Sequence, residues 1–304
     1  MTIRKYGTAA GFKQGLEQRL RAASASGGDF ARRRQLLVFD RFLARVFLEL
    51  GDAVVLKGGL AVELRLERSR TTKDVDLRVV GSPDAGLDTL RAAASRDLGD
   101  FMVFTVHPDD RHPDIQNDGM PYDGMRFRAQ CTVAGKIYGR PFGVDIAFGE
   151  PILGEPDTVL ADDVLAFAGI ARPALRVYPV ETHIAEKLHA YTMPRPRPNS
   201  RVTALPDLAL IATAAPLDAK RLRSAIDQTF SFRGTHAVPT HVPEPPSNWQ
   251  LPYTTMATAD RLSWPTLAAV HDAARSFLDP VLAGRIDAVW MPEAGAWVPR
   301  TPPR

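Results

Sequence analysis

Apolar residues recur every three or four positions over the first fifty residues of the chain. Residues 9–24 form a weakly amphipathic stretch flanked by Arg and Lys. Residues 30–50 set Leu36, Phe39, Leu43, Val46, Phe47 and Leu50 on one helical face, so two helices are predicted, the second stopped by Gly51. The period then changes. Ala53-Val54-Val55-Leu56 reads as a short buried strand, which ends in Lys57-Gly58-Gly59 and runs into a helix-like segment over residues 60–66. Strands are predicted at 75–80 and 102–106, on either side of an Ala- and Leu-rich helix at 84–98. Two more, at 125–133 and 139–149, are joined through Ala134-Gly135-Lys136 as a hairpin. The first half is therefore α/β with a mixed sheet. Helical periodicity dominates later, at 180–192, 205–215, 217–230 and 258–279, interrupted by a Pro-rich loop at 234–253 that covers the surface or moves. The expected organisation is an α/β domain with leading helices over residues 1–155, then a mainly helical domain over 156–304.

Composition narrows the class. Of 304 residues, 45% are hydrophobic and 24% charged, the balance of a globular chain with a core. Cys131 is the single cysteine, which excludes a disulfide framework and a multi-cysteine zinc site and fits a reducing cytosol. No apolar run approaches the roughly 20 residues that cross a bilayer, and the start carries no apolar signal region, so a cytoplasmic protein without membrane contact is expected. The net charge of +3 identifies no partner. Residues 1–49, however, carry ten Arg or Lys against four acids. Such a surface attracts phosphate polyanions, and equally keeps helices solvated.

The residues that carry chemistry lie around the glycine turn. Asp74 and Asp76 sit two apart at the start of a strand, so both carboxylates project to one face while Val75, Leu77 and Val79 point to the other. That pairing is costly unless a cation neutralises it, and Asp145, between Val144 and Ile146 on a later strand, supplies a third acid. Three strand carboxylates facing a glycine turn at a helix start describe a magnesium-triphosphate site: glycines admit backbone N–H groups to phosphates, and ions clamp the attacking and leaving oxygens. An Asp-x-Asp pair also occurs on solvated strand edges, and a Gly-Gly turn alone is weak. Their combination, in this order and with a third strand acid, favours the catalytic reading.

This arrangement resembles the polymerase-β-like nucleotidyltransferases, with fourteen residues between Gly59 and Asp74. The wording KGGLAVELRLERSRTTKDVDL at 57–77, with IAEKLHA at 184–190, is similar to the AbiEii/MenT group of bacterial nucleotidyltransferase toxins. The resemblance implies a polymerase-β-like fold and transfer of a nucleoside monophosphate from an NTP, with Mg2+ or Mn2+, to the 3′ end of tRNA, blocking translation. It also implies a cognate antitoxin, as in a type IV-like toxin-antitoxin pair. Carried over residue by residue, it assigns Gly58 and Gly59 to the triphosphate, Asp74 and Asp76 to metal, and Thr72 a place beside the site. Lys187 matches a catalytic or nucleotide-contacting lysine, and Asp207 a later acid. Leu60 stands where many relatives have Ser or Thr, so phosphate grip falls to backbone amides and to Lys57, Arg70 or Lys73. The later motif keeps Arg201 and Asp207 but loses its middle Lys and Asp. Lys187 itself borders the apolar face of its helix, from where its stem can be buried and its ammonium directed into a cleft. Two rival readings remain open: a nucleotidyltransferase acting on a small molecule or protein, and a non-catalytic binding module of the same fold.

Overall fold

Thr8 and Ser26 open the two leading helices, α1 (Ala9–Ala22) and α2 (Gly27–Leu50), their hydroxyls accepting the amides of Gly11 and Asp29. The structure, a computed structural model, describes residues 6–66, 72–110, 124–149, 151–195, 199, 201–284 and 287–300. Gly51, at φ +53°, ends α2, where a left-handed backbone favours glycine.

The chain then alternates through β1 (Val54–Lys57), α3 (Gly58–Arg65), β2 (Asp74–Val79), α4 (Gly86–Ser95), β3 (Met102–Pro108), β4 (Gly124–Val133), β5 (Lys136–Ile137) and β6 (Phe142–Phe148). Ala134 and Gly135, both at positive φ, make the tight turn from β4 into the short β5. β7 (Asp157–Leu160) and β8 (Ala174–Val177) complete the large sheet, whose order is β3-β4-β6-β2-β1-β8-β7 with β5 on β4. The sheet is mixed: β2 runs parallel to β6 and β1 to β8, and the remaining pairs are antiparallel. It extends past residue 155, where the sequence pattern turns helical, because β8 lies against β1 and places Leu175 and Val177 in the same core.

Helices dominate afterwards: α5 (Val180–Thr192), α6 (Ala204–Ile211), α7 (Ala219–Arg233), α8 (Gln250–Asp260) and α9 (Leu267–Leu282). The periodic segment at 258–279 spans the last residues of α8, a break where Arg261 turns left-handed and Pro265 follows, and most of α9. α8 also claims the last residues of the Pro-rich loop. The rest of that loop is packed, with Val242 buried and the Tyr191 hydroxyl donating to the Pro243 carbonyl at 2.6 Å. A small antiparallel sheet joins β9 (Leu217–Asp218), β10 (Ala288–Met291) and β11 (Ala296–Pro299) in the order β11-β10-β9. Trp290 and Trp297 seal it onto Phe277.

Two hydrophobic cores result. One fills the large sheet and its helices α1, α2 and α4; the other lies among α5 to α9. Helix α3 serves both, since Leu60 and Ala61 face the first core and Val62 the second. A buried ionic cluster ties α2 to the start of β3: Arg41 and Arg45 bind Asp100 at 2.8 and 2.7 Å. Burial alone would raise the Asp100 pKa, but the two guanidiniums prevail and hold it below the usual carboxylate range. Among the described residues, no helix is long and apolar enough to cross a membrane.

Candidate active site

The register of three central strands assembles the site. Asp76 on β2 lies beside Lys57 at the end of β1 and beside Asp145 on β6, and Asp74 lies beside Gly143. The alternation of β2 buries Val75, Leu77 and Val79 and leaves Asp74 and Asp76 on the opposite face, Asp74 exposed and Asp76 half-buried. The three strand acids are therefore neighbours.

Two glycines make room for the β2 carboxylates. Gly58 opens α3 at φ +69°, and a Cβ there would fall 1.9 Å from Asp76 Oδ2. Any side chain at 58 would displace the acid, so this glycine serves Asp76 directly, whatever it does for phosphate. Gly143 plays the same part for Asp74: a Cβ would lie 2.6 Å from Oδ1, and the Gly143 N–H donates to that oxygen at 3.1 Å. Gly59 is buried in the first turn of α3.

Cations surround the acids, each already engaged. Arg126 on β4 grips Asp145 with both arms, at 2.8 and 2.7 Å. That bidentate bond raises the pKa of Arg126 still further, so the guanidinium stays charged. Lys57 approaches Glu186 at 3.3 Å and lies over the Tyr178 ring. Lys187 on α5 reaches Asp207 on α6 at 2.8 Å, and Asp207 is completely buried. Asp76 feels the whole group: burial raises its pKa, Asp145 and Asp74 raise it further, and Lys187 and Lys57 oppose them. His183, one turn before Lys187, is buried and neutral, its pKa pushed well down by burial and by that ammonium. His189 packs against Phe230 and bonds Thr235 at 2.7 Å.

Thr72 is buried at the entry to β2. Its N–H donates to Glu63 Oε2 at 3.0 Å, and its hydroxyl lies 3.4 Å from the Asp74 carbonyl as donor. Glu63 in turn accepts from Arg32 at 2.8 Å, so α2, α3 and the β2 entry are laced together. Lys73 is exposed next to Asp74, and Arg70 lies outside the described residues. The site thus brings together Lys57, Gly58, Asp74, Asp76 and Asp145, with the charge of Lys187, itself paired to Asp207, felt from the helices. Sequence reasoning missed Arg126, Gly143, Glu186 and Glu63. A glycine inside a strand is a signal for close approach that could have found Gly143; the other three depend on cross-strand and interhelical register.

No set of three His, Cys, Asp or Glu side chains among the described residues is gathered to hold an ion by itself. The donor chemistry nevertheless fits a hard divalent cation. Mg2+ is commonly held by one or two carboxylates plus substrate phosphates, and Asp76 is a crowded, half-buried carboxylate that positive charge would relieve. Asp145, the third acid of the expected metal set, is held by Arg126 instead.

The site therefore sets paired strand acids over a glycine turn, on a mixed sheet followed by helices. The chain belongs to the AbiEii nucleotidyltransferase toxin family of type IV toxin-antitoxin systems, whose model matches residues 41–287. No curated protein matches the sequence significantly. Among solved structures, MenT4, a nucleotidyltransferase toxin from Mycobacterium tuberculosis H37Rv, is 14% identical with a TM-score of 0.49, over 71% of this chain and 69% of that one. JHP933 from Helicobacter pylori is 12% identical with a TM-score of 0.47, over 86% of this chain and 94% of that one. A putative nucleotidyltransferase from H. pylori is 12% identical with a TM-score of 0.44, over 85% and 96%.

Proposed function

We propose that this protein is the toxin of a type IV-like pair and transfers a nucleoside monophosphate from an NTP to the 3′ end of tRNA, blocking translation. The observation that carries the reading is the display of Asp74 and Asp76 on one face of β2, each held against a glycine, beside Asp145. A divalent cation, Mg2+ or Mn2+, held by Asp74 and Asp76 would neutralise the triphosphate and stabilise charge on the attacking and leaving oxygens.

The acceptor hydroxyl oxygen forms a bond to the α-phosphorus, the bond from that phosphorus to the α–β bridging oxygen breaks, and pyrophosphate leaves. Asp145 takes the hydroxyl proton. Arg126, which holds Asp145 in this structure, is the charge an incoming phosphate competes for; its transfer to phosphate frees the base. Lys57 and Lys187 supply positive charge beside the triphosphate, with Lys73 and the amides of Gly58 and Gly59 at its edges, and Arg70 in the same role. The family also implies an antitoxin that restrains this activity.

Incubating the protein with α-labelled NTPs and total RNA tests the acceptor. Label in the tRNA band supports the reading. Label confined to protein or to small molecules would move the activity to one of those acceptors, and no label anywhere would leave a non-catalytic module of the same fold.

A further inference from the structure

A cavity of about 750 Å3 is lined by the residues that lead into β2 and β6, Thr72 and Lys73 on one side and Gly139 to Pro141 on the other. Its walls come from four separate parts of the chain: the start of α2, the segment entering β2, the segment entering β6, and the C-terminal end of α8. Lys73, Arg140 and Arg261 converge there, one from each of the last three. None of the three makes an ion pair or a side-chain hydrogen bond with any other described residue. Most arginines of this protein behave otherwise. In the same cavity, Arg32 is tied to Glu63 at 2.8 Å and Arg34 lies 3.9 Å from Glu17. Two acids also line it: Asp29, committed to Arg33 at 3.1 Å, and Asp260. The lining still carries three more positive than negative charges.

Three cations brought together without counter-ions repel one another, an arrangement that favours a polyanion. Arg261 adds a second argument. It caps α8 at φ +54°, a left-handed position that glycine occupies at lower cost, yet an arginine stands there and lines the cavity. Arg140 is positioned with equal care: Gln35 on α2 donates to its carbonyl at 3.2 Å and accepts its N–H at 2.7 Å, fixing the loop before β6. The route to the acids is short, since Lys73 precedes Asp74 and Arg140 lies three residues before Gly143, which binds Asp74.

We infer that this cavity seats the sugar-phosphate backbone of the acceptor strand, with Arg140 and Arg261 as its phosphate contacts and Lys73 at the boundary between the strand and the triphosphate. The inference rests on the RNA-acceptor reading above and adds the place where the acceptor lies. No aromatic side chain lines the cavity among the described residues, so bases are not stacked there. Recognition in this cavity is by charge, and the strand's sequence matters little.

The test uses Arg140→Ala and Arg261→Gly, neither of which touches the carboxylates. Binding of a fluorescently labelled single-stranded RNA with the 3′-terminal tRNA sequence is followed by anisotropy, in EDTA, across a salt series. Each variant should weaken binding roughly 3- to 10-fold and reduce the slope of log K on log salt by about 1. Arg261→Gly should also raise Tm by about 2 °C, because it relieves the left-handed arginine, an effect opposite to that of a damaged fold. In transfer assays, KM for RNA should rise with KM for NTP unchanged. Wild-type affinity and slope in both variants would overturn the inference, as would failure of the wild type to bind RNA or displacement of RNA from the wild type alone by polyglutamate at lower charge concentration than by polyphosphate. The two readings separate: transfer to RNA with unchanged RNA KM in both variants sinks the cavity and leaves the activity. Variant-sensitive RNA binding without any transfer does the reverse.

Discussion

Gly58 and Asp76 occupy the same space, the one by omitting a side chain and the other by filling the gap. Gly58→Ala would place a Cβ 1.9 Å from Asp76 Oδ2 on a backbone at φ +69°, so both sterics and conformation oppose it. The variant should lose at least about 100-fold in transfer rate and roughly 1–3 kcal/mol of stability, the scale of a strained backbone position. Kinetics with a thermal melt check both, and a fully active alanine variant would show that the Asp76 position is not critical. A second residue-scale prediction concerns Asp40 on α2, buried with no hydrogen-bond partner for Oδ1. Burial, reinforced by Asp162, raises its pKa from 3.8 to about 8. Between those values the folded state holds a proton that the unfolded chain has released, so stability falls as pH rises through the window. The slope is at most about 1.4 kcal/mol per pH unit. Asp40→Asn should flatten the Tm profile between pH 5 and 8; an unchanged profile would mean that Asp40 is ionised when folded. Asp74, Asp76 and Asp145 were legible in the sequence because strand alternation alone sets which way they face. Arg126 was not, since its bond to Asp145 exists only through the register of β4 on β6.

At the level of elements, the bond from Lys187 on α5 to Asp207 on α6 joins function to packing. Asp207 is fully buried, so removing the lysine takes away an opposite charge that offsets the cost of burying that carboxylate, a loss of up to about 3–5 kcal/mol. Lys187→Met should therefore both destabilise and inactivate. The double variant Lys187→Met with Asp207→Leu should recover most of the stability while transfer stays lost. Denaturant melts and kinetics on both proteins separate the roles, and recovery of activity in the double variant would show that the lysine only ties the helices. The regular elements were legible wherever one face is buried: α2, β1, β2 and α5 lie close to where periodicity sets them. The pattern failed at short, tertiary-dependent pieces. β9 has two residues and exists only because β10 pairs with it; the helix expected at 258–279 runs across a break made by backbone conformation at Arg261, and most of α8 was not expected as a helix, its start being placed in the Pro-rich loop.

For the molecule as a whole, the two cores meet on α3, whose first turn carries Gly58 and whose Val62 enters the helical core. The position of Lys187 is set from both halves: α3 is shared by the two cores, β8 on β1 leads directly into α5, and Lys57 pairs with the neighbouring Glu186. The proposed tRNA acceptor and antitoxin rest, at the level of sequence, on resemblance alone, because no single motif encodes a macromolecular surface; the cavity at the start of β2 and β6 needs four separate segments to meet. The most direct measurement is a side-by-side transfer assay on deacylated tRNA with α-labelled and γ-labelled NTP, for the wild type, Asp74→Asn and Asp76→Asn. The account predicts that the wild type places the α label, never the γ label, on the tRNA 3′ end, and that both variants, folded by circular dichroism, transfer less than about 1% as fast, in line with loss of metal-ion catalysis. Wild-type rates in either folded variant, or γ label on the RNA, would contradict it.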